Sequence, residues 1–102
     1  MLEYTIYFNI ILDSLAKNIE VNNVSNQINI KSTTANILIK KADIHSKSYI
    51  NATSGNVTIR DINNIYIDTQ TKSGIVKNKA SIDRFSDIEL SVKTTSGNIR
   101  IK

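Results

Sequence analysis

The chain reads as an all-β protein of stacked repeats, a parallel β-solenoid, and three observations carry that reading. The first is self-similarity. Ala52-Thr53-Ser54-Gly55-Asn56-Val57-Thr58-Ile59 returns as Thr94-Thr95-Ser96-Gly97-Asn98-Ile99-Arg100-Ile101, with a degenerate copy at Thr71-Lys72-Ser73-Gly74-Ile75-Val76 and an earlier one at Ser32-Thr33-Thr34-Ala35-Asn36-Ile37-Leu38-Ile39. The corner residues Ala35, Gly55, Gly74 and Gly97 lie 20, 19 and 23 positions apart, and a period near 20 marks a stacked repeat architecture. The second is composition: 19 Ile against 5 Leu, with no Pro, Trp or Cys, favours strands, because stiff β-branched side chains suit a pleated surface. The third is alternation within each repeat, which puts Val57 and Ile59 inside with Thr58 and Arg60 in water. Ile37 and Ile39 against Leu38 and Lys40, and Ile99 and Ile101 against Arg100 and Lys102, repeat the pattern.

At 102 residues the chain is one small domain. Residues 1–16 are expected to form an N-terminal cap strand and corner. Tyr4, Ile6, Phe8 and Ile10 alternate with polar neighbours, and Asp13-Ser14 then breaks the pattern as a turn. Repeats follow at 17–34, 35–54, 55–73 and 74–96, with a partial fifth at 97–102. The fourth is longer by three or four residues around Asp83-Arg84-Phe85-Ser86. Gly55, Gly74 and Gly97 are expected as structural corners with positive φ, and Asn56 and Asn98 as corner residues that bond local backbone. Antiparallel hairpins turning at the same glycines are the rival arrangement. Recurrence of similar residues a whole repeat apart favours the solenoid.

The T-x-S-G-N-h-x-h repeats, behind the lead-in Leu12-Asp13-Ser14-Leu15-Ala16-Lys17-Asn18-Ile19-Glu20-Val21, resemble the bacterial adhesin-like β-repeat family of the DUF4097 type, with its head-GIN relatives. The resemblance covers roughly Leu12 to Lys102 and departs from the pattern at Ala35 and at Ser73-Gly74-Ile75. It implies a right-handed, single-stranded parallel β-helix of about four to five rungs of ~20 residues. It also implies association with the cell envelope or surface, no known catalysis, and links to envelope-stress responses. Such proteins usually carry more rungs, so a chain ending on half a rung is expected to be a fragment.

Little in the sequence announces chemistry, and no cofactor is expected. His45 is the single histidine and has no Cys or second His to share a metal with, so it is read as an exposed strand residue. Asp61, Asp68, Asp83, Asp87 and Glu89 are isolated among Lys, Asn and Ser, whereas glycoside cleavage needs two carboxylates held ~5–10 Å apart. No Gly-rich phosphate loop is present, and nothing signals nucleic acid specifically. The +4 net charge comes from 13 scattered basic and 9 acidic residues, which reads as a solvated surface.

Two features are candidates for surface contact. Tyr66, between Ile65 and Ile67, points outward and offers a ring for stacking on a base or sugar. The Thr/Ser corner, with Thr53, Ser54, Ser73, Thr95 and Ser96, would stack into a hydroxyl ladder suited to a glycan or to ice, although the plainer reading, preferred here, is that its hydroxyls serve corner backbone groups.

The expected function is a non-enzymatic, envelope-associated, adhesin-like module presenting a repetitive polar surface. Its partners would be a surface glycan, an anionic envelope polymer or another protein. The alternatives are a self-assembling scaffold, joined end to end through an open C-terminal rung that exposes Ile99 and Ile101, and a carbohydrate-active β-helix enzyme. No apolar run reaches the ~20 residues of a membrane span. The N-terminus does not read as a signal peptide, because Glu3 stands where a basic region belongs, so a cytoplasmic location stays open.

Overall fold

The structure is a computed structural model that describes residues 2–4, 7–14, 18–78, 83 and 85–102, the first two stretches as backbone only. The described residues form eleven strands: β1 (Leu2–Tyr4), β2 (Tyr7–Ser14), β3 (Ile19–Val21), β4 (Val24–Thr34), β5 (Ile37–Ile39), β6 (Ser48–Ser54), β7 (Val57–Ile59), β8 (Tyr66–Ser73), β9 (Val76–Asn78), β10 (Glu89–Ser96) and β11 (Ile99–Ile101). No helix occurs among the described residues. The three-residue strands build one sheet in the order β1-β3-β5-β7-β11-β9, and the longer strands build a second in the order β2-β4-β6-β10-β8. Every pairing of these strands is parallel, so the chain coils between the two sheets and makes no hairpins at the glycines.

Alternation builds the core as the sequence predicts. In the short-strand sheet Ile19, Ile37, Val57, Ile99 and Val76 lie in register, as do Val21, Ile39, Ile59, Ile101 and Asn78. Ile30, Ile50, Val92 and Thr69 do the same in the long-strand sheet. The aliphatic members of these columns are buried, apart from Val76, which is 37% exposed. Arg60, Arg100 and Lys102 are exposed, while Thr58 and Leu38 are half-buried.

The strand order departs from the sequence order at one place. After β7 the chain passes to β8 and β9 at the far edge of both sheets, then returns to lay β10 between β6 and β8, and β11 between β7 and β9. The last rung in the sequence is therefore not the last in space. Ile99 and Ile101, expected at an open end, are buried at 1% and 0%, flanked by β7 and β9. Among the described strands, β8 and β9 form one end of the stack and β1 and β2 the other.

A physical reason is visible in the residues. β8 and β9 carry Thr69 and Asn78 in the columns where inner rungs carry isoleucine or valine. β10 and β11 carry Val92, Ile99 and Ile101 there. Exchanging the two rungs would bury polar groups and bring aliphatic ones to the end, at ~2 kcal/mol for each large side chain exposed. A terminal rung with fewer aliphatic side chains on its core face leaves less apolar surface at the end of a repeat stack.

The expected length anomaly of the fourth repeat belongs to the return path. Residues 79–82 and Arg84 lie outside the described residues. Around them the Asp83 N–H donates to the Ile65 carbonyl (3.1 Å), the Phe85 N–H to Asp83 Oδ1 (3.0 Å) and the Ile88 N–H to Ser86 Oγ (3.0 Å). At the other end, the segment expected as a cap supplies β1 and β2, which pair with β3 and β4 and so extend both sheets by one strand. β2 runs through Asp13 and Ser14, where a turn was expected, because these residues pair in register with Lys31 and Ser32.

Candidate ligand-binding face

The Ser-Gly corner is held by two stacked devices. Gly55 has φ of +141°, and a Cβ built there would lie 2.1 Å from the Ala35 carbonyl oxygen, so only glycine fits. A Cβ at Gly97 would meet the Gly55 oxygen at 2.0 Å, and one at Gly74 the Gly97 oxygen at 2.0 Å, which orders the column Ala35, Gly55, Gly97, Gly74. Beside it runs an asparagine ladder. Asn18 Oδ1 accepts the Asn36 N–H (3.0 Å), Asn36 Oδ1 the Asn56 N–H (2.9 Å), Asn56 Oδ1 the Asn98 N–H (2.9 Å) and Asn98 Oδ1 the Ile75 N–H (2.9 Å). Each side chain satisfies a backbone donor that the turning chain leaves unpaired.

Next to this corner the outer face of the long-strand sheet carries the expected hydroxyl line. Thr34, Ser54, Ser96 and Ser73 lie in register across β4, β6, β10 and β8, and all are exposed. Thr53 and Thr95 are exposed one position earlier. Thr71 and Thr94 serve the backbone instead, donating to the Gly97 carbonyl at 3.0 and 3.3 Å.

Two positions before that row of threonines, Lys31, Asn51, Lys93 and Gln70 form a second exposed register row. The sequence expectations did not include this row. Each member stands four residues before a corner residue (Ala35, Gly55, Gly97 or Gly74), so aligning the repeats by their corners would have found it. This second row, with Thr33, Thr53, Lys72 and Thr95, lines a groove of ≈ 390 Å³ that crosses four strands, whereas Thr34, Ser54, Ser73 and Ser96 lie outside it.

Tyr66 is 37% exposed, but it begins β8 while Ser73 ends it, so seven residues of extended strand, ~23 Å, separate it from the hydroxyl line. The structure does not bring them into one site. Tyr49, 38% exposed, lies on the same face with Lys47 Nζ 5.7 Å from its ring centre.

The remaining candidates are dispersed. His45 is exposed and outside the named strands, with Nε2 3.1 Å from Asp43 Oδ2. Asp68 and Glu89 reach diagonal positions on β8 and β10, outside the groove. Among the described residues, no three His, Cys, Asp or Glu come together as a metal site, and no helix is long and apolar enough to cross a membrane.

Parallel sheets of stacked short rungs, asparagine-laddered at one corner, define a β-solenoid repeat module. The family model for Toastrack DUF4097 matches residues 9–102, and the chain belongs to that family. No curated protein and no solved structure matches the chain.

Proposed function

We propose that this chain is a non-enzymatic, adhesin-like module of the cell envelope: a right-handed solenoid of about five rungs that holds a polar face rigid against a surface glycan. The handedness follows the general preference of parallel strand-crossover-strand connections. The observation that carries the reading is the groove built from the row Lys31, Asn51, Lys93 and Gln70 together with Thr33, Thr53 and Thr95. It offers amide, ammonium and hydroxyl groups at the ~4.8 Å rung spacing. These groups stand on sheet strands, so little ordering is left to be done on binding.

The test is a neutral glycan array probed with the wild type and with Thr53→Val/Thr95→Val, which keeps the β-branched shape and removes both hydroxyls. Binding that falls at least ~10-fold in the variant supports the reading. An array with no bound glycan, or equal binding by both proteins, overturns it. A reducing-sugar assay on the bound glycans tests the absence of catalysis, and protease accessibility on intact cells tests the envelope location.

The scaffold reading has one observation of its own. Ile75 is 60% exposed at the β8–β9 edge, so end-to-end growth would proceed there and not through Ile99 and Ile101. Light scattering that rises with protein concentration would favour it.

A further inference from the structure

We infer that the outer face of the short-strand sheet, at its β11–β9 end, binds a linear polymer carrying phosphate groups. Four exposed cations meet there. Arg100 and Lys77 lie directly opposite each other in register on β11 and β9. Arg60 and Lys102 follow the register pair Ile59 and Ile101, and the Lys102 N–H donates to the Ile59 carbonyl at 2.9 Å. The ion pairs of the described residues are Lys40 with Glu20 (2.7 Å) and His45 with Asp43, so none of these four cations pairs with a described acid.

Like charges directly opposite on neighbouring strands oppose folding, so the arrangement calls for an explanation. Protection of an open sheet edge accounts for Lys77, which stands on the outermost strand. It does not account for Arg100, Arg60 and Lys102, which stand on β11 and at the ends of β7 and β11, covered on both sides. A bound polyanion accounts for all four. Guanidinium groups take phosphate oxygens in a two-pronged fork, and lysines add point charge. Lys77 and Arg100 stand at the rims of two hollows, one of ≈ 370 Å³ shared with Lys102 and with Ile101 in its lining, and one of ≈ 80 Å³ with Ile75, Asn98 and Ile99, so it is the rim charges and not the hollows that would hold phosphate.

The shape of the site favours a polymer over a bilayer. Cations spread over three strands of a flat face hold a single small anion weakly but engage successive charges of a chain together. A membrane-seated face also buries apolar side chains. Of the exposed large apolar residues, Tyr49 and Tyr66 stand on the other sheet, while Ile75 and Val76 adjoin Lys77 at the β9 edge and Ile75 borders the smaller depression. Two aliphatic side chains at one edge are too few to seat the face in a bilayer.

This inference is independent of the glycan reading, which concerns the opposite sheet and neutral ligands. The 102-residue protein is titrated with long-chain inorganic polyphosphate at several salt concentrations. Affinity is expected to fall with salt with a logarithmic slope of about −3, for four phosphates neutralised at ~0.7 each. Lys77→Gln/Arg100→Gln is expected to weaken binding at least ~10-fold and to flatten the slope by ~1.4, because two of the four cations are removed. Lys31→Gln/Lys93→Gln removes the same charge from the other sheet and is expected to change affinity less than ~2-fold. Both pairs are exposed, and thermal melts check that each variant is folded. Equal losses in the two variants would reduce the effect to net charge and overturn the site. No binding of polyphosphate, or adsorption to phosphatidylglycerol vesicles in its place, would also overturn it.

Discussion

Asn98 Oδ1 accepts the backbone N–H of Ile75 at 2.9 Å, although Asn98 comes 23 positions later in the chain. The asparagine ladder therefore runs in spatial order and ends on a residue that is not asparagine. Ile75 breaks the repeat at the rung beyond which no described strand stands to receive a side-chain oxygen.

An asparagine inside the ladder should matter, and one added at its end should not. Asn56→Ala removes the acceptor of the Asn98 N–H and is expected to cost about 1 kcal/mol, or roughly 4–8 °C in melting temperature. Ile75→Asn should stay within about 0.5 kcal/mol of wild type. Thermal melts of the two variants check this, and a larger loss from Ile75→Asn would contradict the spatial order.

The glycine column makes a graded prediction. Gly55 is enclosed by Ala35 and Gly97, so the Cβ of Gly55→Ala has nowhere to go, and a loss of roughly 3–5 kcal/mol is expected. Gly74→Ala meets a similar clash with the Gly97 oxygen, but β9 is an edge strand and can lift away, so roughly 1–2 kcal/mol is expected. Urea denaturation measures both.

Inside and outside faces are separable at adjacent residues. Ile59→Asp places a charge where exposure is 0%, with no partner, and is expected to unfold the domain. Thr58→Asp stands in the outward row between Leu38 and Arg100 and should be nearly neutral. Equal effects in thermal melts would refute the assignment of faces.

Hydrogen exchange should follow spatial order too. Amides of β10 and β11, paired on both sides, are expected to exchange more slowly than those of β8 and β9, which have one strand neighbour each. Faster exchange at 89–101 than at 66–78 would show that the rungs stack in sequence order.

The repeats were legible because their period and alternation are written in the residues: Ile37, Ile39, Val57, Ile59, Ile99 and Ile101 are buried in the sheet columns where alternation puts them. The rung order was not read, although its signal was present. The two nearly identical copies, 52–59 and 94–101, stack directly on one another, and the degenerate copy is displaced to the edge. Adjacency is decided by which rung can tolerate water, as Thr69 and Asn78 show, and a period alone does not contain that. At the candidate sites, the hydroxyl line was read from the Thr/Ser corners, while Lys31 and Lys93 were missed because single lysines look like ordinary solvated surface until register places them in one row. The cations at 60, 77, 100 and 102 were overlooked in the same way, since they are far apart in the chain and meet only across three strands.

The displaced rung bears on how the molecule is made. A ribosome releases β8 and β9 before β10 and β11 exist, so the nascent chain holds an edge rung with an inner place still to be filled. The inner place between β6 and β8, and between β7 and β9, therefore belongs to strands made last, so the final order of the stack is defined only once Leu90, Val92 and Ile101 are on the chain.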